Sequence, residues 1–287
     1  MNCSRLTRAA RLSGVIGTFV AFSSLVWAQG GVPQGPPPGG PPAPATARDA
    51  APVDLTGNWV SVITEDWRYR MMTPPKGEVT GLPVTPSARA AADAWDPAKD
   101  EANGLQCKAF GAPTLMRNPG RAQISWQDPN TLKIDYDTGQ QTRLLHFGGT
   151  APADAEPSWQ GYSIAEWERE VSVPTGVRGV GSGPLVGPGA GGRGRGFGFP
   201  VALTGSLKVV TTHLRPGYLR KNGIPYSANA VLTEYFNHRT LPNGETWFTA
   251  VAVIEDPENL TGPLVLSSDF KKEPDGSKRM PMPCSVK

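Results

Sequence analysis

The sequence predicts a mainly β protein: a single antiparallel up-and-down barrel of eight or nine strands, with one short helix and long loops. Three observations predict it. Short stretches alternate apolar and polar side chains, the period of a half-buried strand. Several are joined by turns too short for anything but antiparallel neighbours. The stretch Leu55-Thr56-Gly57-Asn58-Trp59 reads as a barrel-opening strand, in which Gly lets the backbone bend and Trp plugs the apolar end. A single sheet this long curls and closes, which removes its edges.

The chain before that stretch is not barrel. Residues 1–28 read as a secretory signal peptide: Arg5, Arg8 and Arg11 form the positive region, Val15 to Val26 the apolar core, and Val26-Trp27-Ala28 the cleavage site. The apolar run is shorter than the roughly 20 residues a spanning helix needs, so no stable membrane insertion is expected after cleavage. Residues 29–52 are Pro, Gly and Ala with almost no large apolar side chains, which predicts a disordered linker. The barrel domain is expected over 53–287.

Strand signals run from Asp54 to about Ile63, and Trp67, Tyr69, Met71 and Met72 extend an amphipathic edge until Thr73-Pro74-Pro75. Thr85-Pro86 supplies an N-cap and a Pro at the first helical position, and the Ala-rich stretch to Trp95 is the expected helix, ended by Asp96-Pro97. A meander follows. Ala122, Ile124 and Trp126 alternate with polar residues, Asp128-Pro129-Asn130 turns the chain, and Leu132, Ile134 and Tyr136 alternate again. Asp137-Thr138-Gly139 turns it back into Gln141 to Phe147. Further strands are expected over Trp159 to Val173 and Leu203 to His213. Ala230 to Arg239 and Thr246 to Glu255 form a hairpin around Leu241-Pro242-Asn243-Gly244, and Leu264 to Lys271 completes the sheet. The Gly-rich run near 174–202 reads as a long insertion, a lid or hairpin tip.

Charge and cysteines set the compartment. The chain carries 28 basic and 25 acidic residues, and three of the basic ones leave with residues 1–28, so the mature chain is neutral. A neutral protein has no electrostatic case for binding nucleic acid or an anionic membrane. Cys3 also leaves, so Cys107 and Cys284 remain as a pair delivered to an oxidising periplasmic or extracellular space. One structural disulfide is expected.

Taken together, these stretches resemble known proteins. Leu55-Thr56-Gly57-Asn58-Trp59 is similar to the first-strand Gly-x-Trp of the calycins, the lipocalin and avidin superfamily. A broader pattern adds Leu82-Pro83-Val84-Thr85-Pro86, Cys107 to Gly111, Pro157-Ser158-Trp159-Gln160-Gly161, Leu207 to Thr212, Thr233-Glu234-Tyr235-Phe236, Val253 to Pro257 and the terminal Cys. It resembles a large group of secreted bacterial proteins of uncharacterised activity with lipocalin-like barrels. The resemblance implies the fold and the compartment, and no activity. The Gly-rich insertion and the helix before the second strand depart from the simple eight-stranded pattern.

No strong catalytic signature is present, and no cofactor or metal is expected. If strand alternation aims them inward, His146, His213 and Glu234 would converge as a set that suits a metal or an acid/base pair. Aromatic supply points to binding instead. Trp159, Arg215, Tyr218, Tyr226 and Tyr235 are the candidate ligand residues. Arg215, Tyr218 and Tyr226 lie in an irregular loop over 214–229. The function expected from these residues is binding of a small apolar or aromatic molecule in the lumen. The alternatives are a barrel enzyme of the isomerase, cyclase or hydratase kind, or an envelope interaction protein without a small ligand.

Overall fold

Nine strands close into one barrel. They are β1 (Gly57–Val62), β2 (Arg121–Asp128), β3 (Thr131–Tyr136), β4 (Gln141–Phe147), β5 (Tyr162–Val171), β6 (Leu203–Thr212), β7 (Val231–Thr240), β8 (Thr246–Glu255) and β9 (Leu264–Glu273). Each pairs with its neighbour in sequence, and β9 closes on β1, with Asn58 opposite Glu273 and Val62 opposite Asp269. The computed structural model describes residues 46–171 and 203–286. The expected signal peptide, most of the linker and the Gly-rich insertion lie outside the described residues.

The sheet is not purely antiparallel, which corrects the sequence expectation. β4 and β5 run parallel, with Leu145 beside Ser163 and Phe147 beside Ala165. Nine is the reason. A closed ring in which every neighbour is antiparallel needs an even number of strands, so an odd ring must hold at least one parallel pair. The connection over 148–161 therefore runs back along the barrel instead of turning tightly, as parallel neighbours require.

Helices are also more numerous than the one expected. Among the described residues there are four: α1 (Trp67–Met71), α2 (Pro86–Ala94), α3 (Pro97–Ala102) and α4 (Ala112–Leu115). α2 stands where the Thr85-Pro86 signal placed it, with Thr85 Oγ1 accepting from the Ala88 amide. Asp96-Pro97 ends α2, as expected, but the same dipeptide also starts α3, because the Asp96 side chain accepts from the Ala98 amide. The stretch expected as a strand edge over 67–72 is α1. Asp66 before it takes a left-handed conformation, φ 49°, which turns the chain out of the strand.

Inward positions follow strand alternation. Trp59, Leu132, Ile134, Leu145, Leu207, Val209, Phe236, Phe248 and Phe270 form one buried cluster inside the barrel. Trp59 Nε1 donates to Leu55 O at 2.9 Å, and its ring meets Phe248 edge-on at 4.7 Å, while Phe248 stacks on Phe270 at 4.7 Å. Burying each such ring contributes about 1.5–3 kcal/mol relative to exposure. Gly57 is required where it stands: its φ is +124°, and a Cβ there would lie 2.8 Å from the Lys272 side chain. The opening Gly-x-Trp is thus a steric and packing device, as its sequence suggested.

The two ends of the barrel differ. One end is covered by the helical segment over 63–120 together with the loops over 213–230 and 256–263. These bury a second cluster that includes Val79, Ala92, Leu214, Ile224, Leu232 and Leu260. The other end is crossed by residues 46–56, the last of them before β1. Residues 46–52, assigned to the linker from composition, are held there. Ala47 N donates to Asn130 Oδ1 at 2.9 Å, and Trp167 Nε1 donates to Ala47 O at 2.8 Å.

The C-terminal tail returns along the barrel wall. Arg279 Nε donates to Asp137 Oδ1 at 2.9 Å, Met282 and Pro283 pair with Thr138 and Gly139, and Cys284 is disulfide-bonded to Cys107. No helix among the described residues is long and apolar enough to cross a membrane.

Candidate functional site

The middle of the barrel holds a buried charged pair. Alternation along β4 points Arg143 inward between Gln141 and Leu145, and β7 points Glu234 inward between Leu232 and Phe236. The guanidinium grips the carboxylate with two bonds, Nη1 to Oε1 at 3.1 Å and Nη2 to Oε2 at 2.6 Å. Their side chains are 0% and 1% exposed. Nη2 also donates to Thr211 Oγ1 at 3.2 Å, and Thr211 and Ser163 share a hydrogen bond at 2.8 Å. Phe236, Phe248, Phe270 and Tyr136 belong to the buried cluster inside the same barrel.

That arrangement decides where the predicted acid/base residues lie. Glu234 is inside, but its two oxygens are occupied by Arg143. His146 follows the inward Leu145 on β4, so it faces outward, where its ring stacks on Tyr162 at 4.7 Å. His213 lies just past the end of β6 with φ 55°, and its Nδ1 bonds the neighbouring Thr212 hydroxyl at 2.9 Å. The three do not share a point in the lumen.

The five predicted ligand residues are also dispersed. Arg215 stacks over the Trp159 ring at 4.5 Å. Tyr218 donates to Asp100 Oδ2 at 2.6 Å and meets Trp95 edge-on. Burial, with that bond to Asp100, raises its phenol above the ordinary value. Tyr226 is buried in the second cluster, and desolvation raises its phenol too. Tyr235, between inward Glu234 and Phe236, faces outward.

A cleft of about 330 Å³ opens at the helical end of the barrel. Several segments distant in sequence wall it. α1 and the turn after it contribute Tyr69, Arg70, Met71 and Met72. The turn after α4 contributes Arg117 and Asn118. Leu219, Arg220 and Lys221 come from the loop over 214–229, and Leu266 and Met282 from β9 and the tail. The 219–221 segment is held rigidly. Leu219 N donates to Ile224 O at 2.7 Å, and Asn222 Nδ2 donates to Pro75 O and Glu78 O. Gly223, φ +86°, lies against Trp95 so closely that a Cβ would meet the indole at 2.3 Å.

The electrostatics of this cleft are one-sided. Arg70, Arg117, Arg220 and Lys221 line it, and no carboxylate does. Glu65 and Asp66 stand behind: Glu65 Oε1 accepts from Arg70 Nη1 at 2.9 Å and Arg117 Nη1 at 2.8 Å, and Asp66 accepts from Arg117 Nη2 at 2.8 Å. Arg70 Nε donates to Arg117 O at 3.0 Å, while its Nη2 is buried without a partner. A buried donor left unpaired costs about 1–3 kcal/mol. Desolvation, then Arg117, pulls the Arg70 guanidinium below its ordinary value, and desolvation does the same to Arg220 and Lys221.

A second cleft of about 360 Å³ lies at the other end, bounded by Arg48, Val53, Leu55, Trp126, Leu132 and Trp167. Trp126, Phe147 and Trp167 form a tilted row there, with ring spacings of 5.6 and 5.2 Å.

Among the described residues no group of three or more His, Cys, Asp or Glu is placed to hold a metal ion. No family model, curated protein or solved structure matches this chain.

Sequence reasoning missed Arg143 and the cleft cations. Arg143 had a partial signal, an Arg sharing one strand face with the apolar Leu145 and Phe147, which would demand a buried partner if that face is the inner one. Arg70 and Arg117 had none, because the turns that carry them are arranged by contacts distant in sequence.

Proposed function

We propose that this chain is a secreted binding protein for a small, largely apolar molecule, held in the cleft at the helical end. The central lumen is the weaker location, because aromatic side chains and the Arg143–Glu234 pair occupy it. The observation that carries the reading is the cleft itself, a volume of about 330 Å³ with an apolar wall that includes Met71, Met72, Leu82, Leu219, Leu266 and Met282. Ligand sites are concave, mainly apolar and oriented by a few polar groups, with volumes from roughly 300 Å³ upward. Secretion is supported by the Arg5 to Ala28 leader pattern and by the Cys107–Cys284 disulfide.

The test is thermal unfolding against a panel of small hydrophobic compounds. A ligand at about 100 times its Kd stabilises the native state by about 2.7 kcal/mol, a shift of several degrees. Thr73→Trp narrows the cleft from an exposed lining position and should abolish the shift while leaving the unliganded Tm unchanged. A panel without any response, or a response that T73W leaves intact, removes the cleft as the site.

A further inference from the structure

We infer that the helical-end cleft selects an amphiphile with an oxyanion head, a carboxylate or phosphate on an alkyl chain. The inference rests on the reading of that cleft as the binding site and adds the chemical class of its ligand.

The head-group end is defined by Arg70. Its side chain is 2% exposed, two of its three nitrogens are bonded, and Nη2 is buried without a partner in a residue that lines the cleft. Folded proteins seldom leave a buried donor in that state unless something else completes it. The neighbouring cations specify what completes it. Arg220 lies over Tyr69 at 4.3 Å and donates to Thr80 O, and Lys221 lies over Phe110 at 4.6 Å. Neither has a carboxylate within ion-pair distance among the described residues. With Arg117, four cationic side chains line the cleft against Glu65 and Asp66 behind it and Glu78 on the side of Arg220, an excess of one positive charge. Cations are repelled there, and a neutral head leaves the Arg70 donor and the excess charge uncompensated. An oxyanion satisfies both with charge-assisted hydrogen bonds.

The tail end is defined by methionine. Met71, Met72 and Met282 line the rim and are 59%, 63% and 46% exposed. Three unbranched, polarizable side chains on one rim are a surface that conforms to a flexible hydrocarbon rather than to a rigid ring. Exposed apolar side chains gathered at a cleft mark a binding surface more than a monomer exterior. The small volume and the apolar rim fit a single alkyl chain, not a polyanion.

The test is calorimetric titration of the purified protein with octanoate, octyl phosphate, 1-octanol and inorganic phosphate. Octanoate or octyl phosphate should bind at least tenfold more tightly than 1-octanol, and whichever is tighter identifies the head. Affinity should fall with added salt. Lys221→Gln and Arg220→Gln, both on half-buried loop positions, should weaken the anionic probe severalfold and leave 1-octanol unchanged. Equal binding of 1-octanol and octanoate overturns the oxyanion inference and leaves the cleft reading standing. Inorganic phosphate binding as tightly as octyl phosphate overturns the alkyl half. Failure of all the alkyl probes overturns the inference and the cleft reading together.

Discussion

Arg143 and Glu234, 91 residues apart in sequence, meet inside the barrel with Nη2 to Oε2 at 2.6 Å and almost no solvent exposure of either side chain. A closed barrel offers little water to a charge on its axis, so each group depends on the other and on Thr211. The pair also joins β4 to β7 across the lumen, between strands that are not neighbours in the sheet.

Breaking the pair from one side should therefore be severe. Glu234→Ala leaves the guanidinium buried and unpaired, and the expected loss is about 3–5 kcal/mol in urea unfolding. Replacing both partners, Arg143→Leu with Glu234→Leu, should cost less than either single change. Single variants within about 1 kcal/mol of the parent would show that water reaches the pair.

The Cys107–Cys284 bridge spans a sequence separation of 177. On the chain-entropy model a loop of that length gives about 5 kcal/mol of stabilisation, as an upper value. Replacing both cysteines by Ser should lower the Tm. It should also release the tail, exposing Lys278 and Arg279 to trypsin before the barrel is cut. Mass spectrometry of the unreduced protein should give one cross-linked peptide pair containing these two residues. Two thiols that alkylate freely without reduction would contradict the bridge.

His238 gives the pH dependence its direction. It sits at the barrel mouth, edge-on to Trp59 at 6.5 Å. Burial lowers its pKa first, Lys272 lowers it further, and Asp54 opposes them. The folded state thus holds the proton less tightly than the unfolded state, whose imidazole titrates near about 6.5. As pH falls through that value the unfolded state takes up the proton first, so stability declines until the folded pKa is passed. His238→Gln should remove this decline as pH falls below about 6.5, and the imidazole resonance should titrate below its ordinary range. A resonance titrating at or above that range would reverse the sign.

Much of this protein was legible in its residues. The alternation from Ala122 to Phe147, the hairpin around Asn243-Gly244 and the Thr85-Pro86 cap are local patterns, and the strands and α2 stand where those patterns lie. Gly57 and Trp59 act locally as well, one through its φ and the other through burial. The Cys107–Cys284 pairing followed from the expectation that Cys3 lies in a leader outside the folded domain, and the disulfide is present.

What the sequence by itself determined was therefore the set of strands, the closed mainly β fold and the disulfide, because periodicity, turn chemistry and cysteine number are properties of neighbouring residues or of simple counts. Only the tertiary structure decided the parallel β4–β5 pair, since strand parity becomes a constraint only when the ring closes. Only it decided which face of each strand is inside, which placed His146 outward and gave Glu234 to Arg143. And only it assembled the cleft, because Arg70, Arg117, Arg220 and Lys221 come from segments as far as about 150 residues apart, brought together by helix and loop packing that no local pattern encodes.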